Sequence, residues 1–179
     1  MQDLSLSRRV FLSRAIQAAG ALAVLPAAAS APSGPAAAGA EGLLALQGAE
    51  LAILEAVSES FVPTGGAFET GAREVGLARR IDALAAAQGP DVVRGLRGAL
   101  WIVELAGGPL AGHYGRFSRL SSEARVASVR ALATSRLALP RNVFAGLKQL
   151  CVFTFYCQDA SWPATGYDGP WVGRDARRA

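Results

Sequence analysis

The sequence predicts an all-α protein, a small bundle of about five helices with an irregular aromatic tail at its C-terminal end. Hydrophobic residues make up 51% of the chain, and they recur every three or four positions, the spacing of a helix with one buried face. Proline and glycine interrupt this pattern at intervals typical of helix ends. Clean alternation of apolar and polar residues, which would indicate strands, is missing. The length of 179 residues fits at most one domain, assigned to residues 41–179.

The first three helices are predicted from apolar stripes and their stop signals. The first covers residues 41–62 and ends at Pro63. The second covers about 72–87, with Asp82 on its outer face, and the third runs from Pro90 to the glycines and proline at 107–109. The residues predicted to face inward are Leu43, Leu46, Glu50, Ile53, Leu54, Val57 and Phe61, then Val75, Ala78, Ile81, Leu84 and Ala85, then Val92, Val93, Leu96, Leu100 and Val103.

Two further helices complete the predicted bundle. The fourth begins after Ser121, a good N-cap, and extends to about residue 137. Its predicted inner face consists of Val126, Val129, Ala133 and Leu137. The fifth opens at Pro140 and is apolar almost all round over residues 150–156. A helix without a polar face is either the central helix of its bundle or is covered by another chain, and both alternatives stay open.

The first 31 residues are typical of a cleavable twin-arginine export signal. Arg8 and Arg9 precede Phe11 and Leu12, and a mildly apolar stretch of about eleven residues follows, short of the roughly 20 that cross a bilayer. A small-residue cleavage site comes next, formed by Ala29 and Ala31. Residues 32–40, rich in Pro, Ala and Gly, are predicted to form a flexible leader.

Much of the basic charge belongs to that signal. The chain carries 18 basic and 14 acidic residues, a net charge of +4. Cleavage after residue 31 removes three arginines and one aspartate, which leaves 15 basic and 13 acidic residues and a net charge of +2. The mature protein therefore lacks the strong basic excess that favours nucleic-acid binding.

Several kinds of chemistry are disfavoured by composition and spacing. One His and two Cys are too few for a zinc site of the usual ligands, and no two glycines have the spacing of a dinucleotide-binding turn. A self-standing enzyme would have to use His113 with Tyr114, or Glu104 with Asp168, and neither pair has a motif behind it. No catalytic residue, cofactor-binding residue or metal ligand is therefore predicted.

The two cysteines lie six residues apart on the predicted fifth helix. Cys151 and Cys157 would be about 9 Å apart along its axis, whereas a disulfide needs Cα atoms within about 7 Å. Two buried free thiols are predicted, with an intermolecular bridge as the alternative.

The tail at residues 159–171 is the most distinctive part of the sequence. Two Trp, one Tyr, two Pro and two Gly fall within thirteen residues. Stiff aromatic segments make good interface anchors because little entropy is lost when they dock. The tail either binds a partner or folds back over the bundle's own core, and the two readings are compatible. The candidate interface residues are Trp162, Pro163, Gly166, Tyr167, Asp168, Gly169, Pro170 and Trp171.

Four segments carry a resemblance to a known family. They are residues 61–63, 72–84 and 117–121 and, most specifically, the run from Gly146 to Pro170 with its Trp-Pro and Gly-Tyr-Asp-Gly-Pro sequences. Together they resemble the small helical accessory subunit of exported flavin-dependent dehydrogenases. That group includes gluconate 2-dehydrogenase subunit 3 and the gamma subunit of FAD-dependent glucose dehydrogenase. The segments are also similar to a helical extension of some long-chain alcohol oxidases.

The resemblance implies a non-catalytic subunit that holds no cofactor of its own. Its partner would be an FAD-containing flavoprotein of the glucose-methanol-choline (GMC) type, carried through the Tat translocon by this chain's signal. Such pairs often pass electrons to a multihaem cytochrome c. The implied location is the periplasm, with attachment to the inner membrane through partner subunits. The alternative function is a periplasmic helical binding or scaffold module unrelated to redox chemistry.

Overall fold

The computed structural model describes residues 42–66 and 68–168. Within these ranges the chain forms five long helices, one final helical turn and no strand, so the all-α prediction is confirmed for this part of the chain. Short 3-10 turns lie at Phe117–Arg119 and Asp159–Ser161. The helices are α1 Gly48–Phe61, α2 Leu77–Gln88, α3 Pro90–Leu110, α4 Ser122–Thr134, α5 Ala138–Tyr156 and α6 Trp162–Thr165.

The apolar helix α5 packs against each of the other four long helices. Its inner residues Val143, Leu147 and Phe155 are buried together with Leu54 of α1 and Leu100 of α3. This central position accounts for most of its apolar character. Near its C-terminal end, however, Val152 and Phe153 are only half-buried and Tyr156 is 47% exposed. Part of the apolar surface of α5 therefore faces outward.

Two helices begin later than predicted. Helix α1 starts at Gly48 rather than at residue 41, since the N–H groups of residues 44–46 donate to a carboxylate of α2 instead of forming helical hydrogen bonds. Helix α2 starts at Leu77 rather than at residue 72, because residues 72–76 form a turn that ends at Gly76 with a positive φ of 61°. Apolar spacing alone does not distinguish such turns from a first helical turn.

Helix α3 continues past its predicted stop. It passes through Gly107, Gly108 and Pro109 and ends at Leu110. Gly107 packs against the ring of Phe117, and Gly108 lies against the backbone that follows the helix. The two glycines therefore allow the connection after α3 to pack closely on the helix, and this tertiary packing outweighs their low helix propensity.

The inner face of α4 is only partly as predicted. Ser121 accepts a hydrogen bond from the Ala124 N–H at 3.3 Å, so the predicted N-cap is confirmed. Val129 is buried, but Val126 and Leu137 are 48% and 64% exposed, so their assignment to the inner face is wrong. The buried row is instead Ser128, Val129 and Leu132. The guanidinium of Arg125 also turns inward, donating to the Ser118 carbonyl at 2.9 Å.

Candidate functional site

The described part of the aromatic tail folds against the end of α5. The Trp162 indole N–H donates to the Tyr156 carbonyl at 3.3 Å, and the Ser161 hydroxyl donates to the Gln158 carbonyl at 2.7 Å. The Trp162 and Tyr167 rings meet edge to face, with centroids 5.4 Å apart. Gly166, at a φ of 69°, ends the α6 turn and lets Tyr167 return to the tryptophan.

The tail residues that were predicted as an interface remain at the surface. Trp162 is half-buried, Tyr167 is 46% exposed, and Pro163, Gly166 and Asp168 are exposed. Gly169, Pro170 and Trp171 lie outside the described residues, as do Arg8, Arg9, Phe11, Leu12, Ala29 and Ala31 of the predicted signal. As far as Asp168, the tail packs on the end of α5 and leaves the rings of Trp162 and Tyr167 partly accessible.

A small cavity beside this tail was not predicted from the sequence. It has a volume of about 160 Å³ and lies between the end of α1, the loop after it and the end of α5. We call it the aromatic groove; it is lined by Phe61, Val62, Pro63, Gly66, Phe68, Val152, Phe155 and Tyr156. Phe68 meets Phe155 and Tyr156 edge to face, with centroids 5.0 and 5.8 Å apart.

The carboxylate of Glu74 holds together Thr64 and Gly71, which flank the loop that lines the aromatic groove. The Thr64 hydroxyl donates to one of its oxygens at 2.7 Å, and the Gly71 N–H donates to the other at 2.9 Å. The hydrogen bond from Thr64 is the main cause that holds the pKa of Glu74 below its ordinary value. One side of the aromatic groove is thereby tied to the turn that precedes α2.

A second, larger depression lies between α1 and α2. It has a volume of about 390 Å³, and its charged lining residues are Glu55, Glu59, Arg73 and Arg79. Glu59 forms an ion pair with Arg73 on one side and with Arg125 of α4, at 3.3 Å, on the other. These pairs link the turn before α2 and helix α4 to α1, so Glu59 serves the architecture of the bundle.

Three buried carboxylates would be the natural candidates for acid–base chemistry, and each is bonded to the chain's own groups. Asp82, 2% exposed, accepts the N–H groups of Leu44, Ala45 and Leu46 at 2.7–3.0 Å, so its predicted outward position is wrong. Glu50 pairs with Arg97 at 2.8 Å and accepts the Gln47 N–H, which completes a helix start.

The four residues considered for acid–base chemistry lie in different surroundings. Glu104 uses both of its oxygens on Ser118, accepting from the backbone N–H at 2.9 Å and from the hydroxyl at 2.8 Å. Asp168 is exposed on the tail. His113 is half-buried, and the neighbouring Tyr114 is fully exposed to solvent. Glu104 therefore anchors the 3-10 turn that follows α3.

The two cysteines are free, as predicted, but they differ in environment. Cys151 is buried, and the cost of desolvating a thiolate raises its pKa to about 12. Its sulfur lies 3.6 Å from the Ser58 hydroxyl of α1. Cys157 is exposed, so its predicted burial is wrong. It is the C-cap residue of α5 and directly follows Tyr156, where the helix ends.

Thiol labelling should separate these two residues. At pH 8, with native protein, we expect an alkylating reagent to modify Cys157 and to spare Cys151, whose raised pKa alone lowers the thiolate fraction about a thousandfold. Mass spectrometry of peptides from native and denatured samples measures both rates, and denaturation should make them equal. Equal labelling of the native protein would contradict the burial of Cys151.

Among residues 42–66 and 68–168, no group of three or more His, Cys, Asp or Glu side chains is arranged to hold a metal ion. None of the helices in this part combines the length and apolar character needed to span a bilayer.

Comparisons with protein families, with curated proteins and with solved structures found no match to this chain. The resemblance carried by residues 61–63, 72–84, 117–121 and 146–170 therefore stays a prediction from the sequence. Its most specific segment includes the end of α5, where Tyr156 lines the aromatic groove and its carbonyl accepts the indole N–H of Trp162.

Proposed function

We propose that this protein is the non-catalytic small subunit of a periplasmic FAD-dependent dehydrogenase of the GMC type, acting on a sugar, alcohol or gluconate. It would carry the flavoprotein through the Tat translocon and stabilise it afterwards. The FAD would belong to the partner, and a multihaem cytochrome c would take up the electrons. Its location would be the periplasm, held at the inner membrane through the partner subunits.

One observation carries the proposal: accessible aromatic residues cluster where the resemblance is most specific. The run 146–170 contains the outward-facing end of α5 and the tail, and there Tyr156 and Tyr167 are each nearly half exposed. Aromatic residues are enriched at protein interfaces, so accessible rings at one end of the bundle fit a binding surface. Aromatic residues held by edge-to-face contacts are already ordered, so docking onto them costs little entropy.

The buried polar groups stabilise the fold, and this structural role also fits a protein that binds a partner. Asp82, Glu50 and Glu104 each hold a loop or a helix start in place, and the buried thiol of Cys151 is kept protonated. These groups stabilise a rigid scaffold. A rigid scaffold presents a surface to a partner with little rearrangement.

The export signal provides the decisive test. Replacing Arg8 and Arg9 together by lysine should leave the flavoprotein and its dehydrogenase activity in the cytoplasm, because the twin-arginine pair is the feature that the translocon reads. Activity in periplasmic and cytoplasmic fractions is the measurement. Arg14→Lys is the matched control, since it makes the same change in the same leader outside the pair, and its export should be normal. A flavoprotein that still reaches the periplasm with the double variant would overturn the proposal.

A further inference from the structure

The charges of the bundle are unevenly distributed along the chain. Between Glu123 and Asp159 the sequence contains five basic residues and no acidic residue. Arg125 is paired with Glu59, but the other four, Arg130, Arg136, Arg141 and Lys148, are exposed. Apart from Glu123 in the first turn of α4, the exposed charges of residues 122–156 are therefore all positive.

On α5 this charge leads directly into the aromatic groove. Arg141, Ala145, Lys148, Val152 and Tyr156 follow one another at intervals of three or four residues, so they share one face of the helix. The first part of this row is basic, and its last two members line the groove. The row therefore joins basic side chains to an apolar cavity along about four turns of helix.

Lys148, the only lysine of the chain, lies one helical turn before the groove residue Val152 on the same face of α5. Its ammonium nitrogen lies 5.7 Å from the centroid of the Phe144 ring, a cation–π distance. Phe144 in turn meets Phe61, a wall of the groove, with ring centroids 5.6 Å apart. A cation is thus joined to the wall of the groove through one aromatic ring.

The volume of the groove suits a single large side chain. A cavity of about 150 Å³ holds a benzene ring, and the aromatic groove has a volume of about 160 Å³. Protein interfaces are often dominated by one aromatic or aliphatic side chain that fills such a pocket. A recessed cavity of this kind receives a protruding side chain, whereas insertion into a membrane requires apolar residues that protrude from the protein.

We propose that the aromatic groove and the basic row of α5 form a docking site for an acidic, apolar segment of the partner protein. The segment inserts one aromatic or leucine side chain between Phe61, Phe68 and Tyr156, and it places a carboxylate against Lys148. The identity of the partner rests on the proposed function, in which it is the dehydrogenase flavoprotein.

The test compares two variants of the site with a matched variant elsewhere. Lys148→Glu reverses the charge at the rim, and Val152→Glu places a charge in the half-buried wall of the groove. Arg116→Glu makes the same charge reversal as Lys148→Glu at an exposed residue between α3 and α4. Each mature variant is titrated against the dehydrogenase flavoprotein of the same organism. We expect at least about tenfold weaker binding for both site variants and little change for Arg116→Glu. Thermal unfolding of each variant checks that its fold is kept.

Photo-crosslinking from position 152 in the complete complex provides a second measurement that does not depend on a destabilising substitution. The expected product joins position 152 to an acidic segment of the flavoprotein. If the wild-type chain binds the flavoprotein, but both site variants bind as tightly as Arg116→Glu, the docking site is wrong and the proposed function stands. Cross-links to a second copy of this chain or to lipid also overturn the docking site. If the wild-type chain does not bind the flavoprotein at all, both proposals fail.

Discussion

Replacement of Asp82 by alanine should lower the free energy of unfolding by about 3 kcal/mol, and the melting temperature by roughly 10 °C. The carboxylate accepts three consecutive backbone N–H groups, those of Leu44, Ala45 and Leu46. Hydrogen bonds to a charged acceptor contribute about 1.5–3 kcal/mol each. Leu44 and Ala45 can bond to water when the carboxylate is removed, but the buried N–H of Leu46 cannot, so the expected loss is smaller than the sum of three bonds.

Two measurements make this prediction specific. Amide hydrogen exchange at residues 44–46 should become fast in the alanine variant, whereas Asp82→Asn, which retains one acceptor oxygen, should give an intermediate loss of stability. Asp91→Ala is the control: that carboxylate is exposed and pairs only with Arg94 one turn later, an arrangement that contributes less than about 1 kcal/mol. Similar melting temperatures for the Asp82 and Asp91 variants would contradict the role assigned to Asp82.

Asp82 also shows where sequence reasoning reaches its limit. Helical spacing places this residue about 100° from Ile81 and about 60° from Ala85, at the edge of the buried face of α2, where periodicity alone does not decide burial. The segment before α1, 36–38 residues away in sequence, lies over this edge and buries the aspartate. A long-range contact of the same kind joins Arg125 of α4 to Glu59 of α1, and with α4 packed in this way Val126 is exposed. Periodicity predicts which residues form a helix better than it predicts how the helices pack.

The candidate site likewise has one part that the sequence predicts, the aromatic tail, and one part that it does not, the aromatic groove. The tail is visible in the sequence because its aromatic, proline and glycine residues are consecutive, and the structure keeps Trp162 and Tyr167 at the surface. The aromatic groove is not visible, since its walls come from the end of α1, from a loop and from α5, more than 80 residues apart. The one signal in the sequence was the all-round apolar character of residues 150–156, which left open the coverage of α5 by another chain.

Two glycines of α3 should respond to alanine substitution with opposite signs. Gly98→Ala is expected to raise the free energy of unfolding by about 0.5–1 kcal/mol, because Gly98 is exposed, no neighbouring atom lies within 4 Å of an added Cβ, and alanine is the better helix former. Gly108→Ala is expected to lower it by about 2 kcal/mol. There, a Cβ would lie 2.8 Å from the Gly115 carbonyl oxygen and 3.0 Å from that of His113.

The difference between these two variants measures how firmly the connection after α3 is held. Both carbonyls near Gly108 belong to backbone, and the His113 N–H donates to the Gly108 carbonyl at 2.9 Å, so the neighbours of the new methyl group cannot simply rotate away. Gly98 lies in the middle of α3, whereas Gly108 directly precedes Pro109 in its last turn, so urea unfolding of the pair measures the clash together with the restriction that proline places on the residue before it. If Gly108→Ala were as stabilising as Gly98→Ala, residues 113–115 would have to move off α3 freely. The adjoining 3-10 turn would then have to move as well. Glu104, four residues before Gly108 on the same helix, holds that turn by two hydrogen bonds from Ser118, so we expect residues 113–115 to stay in place.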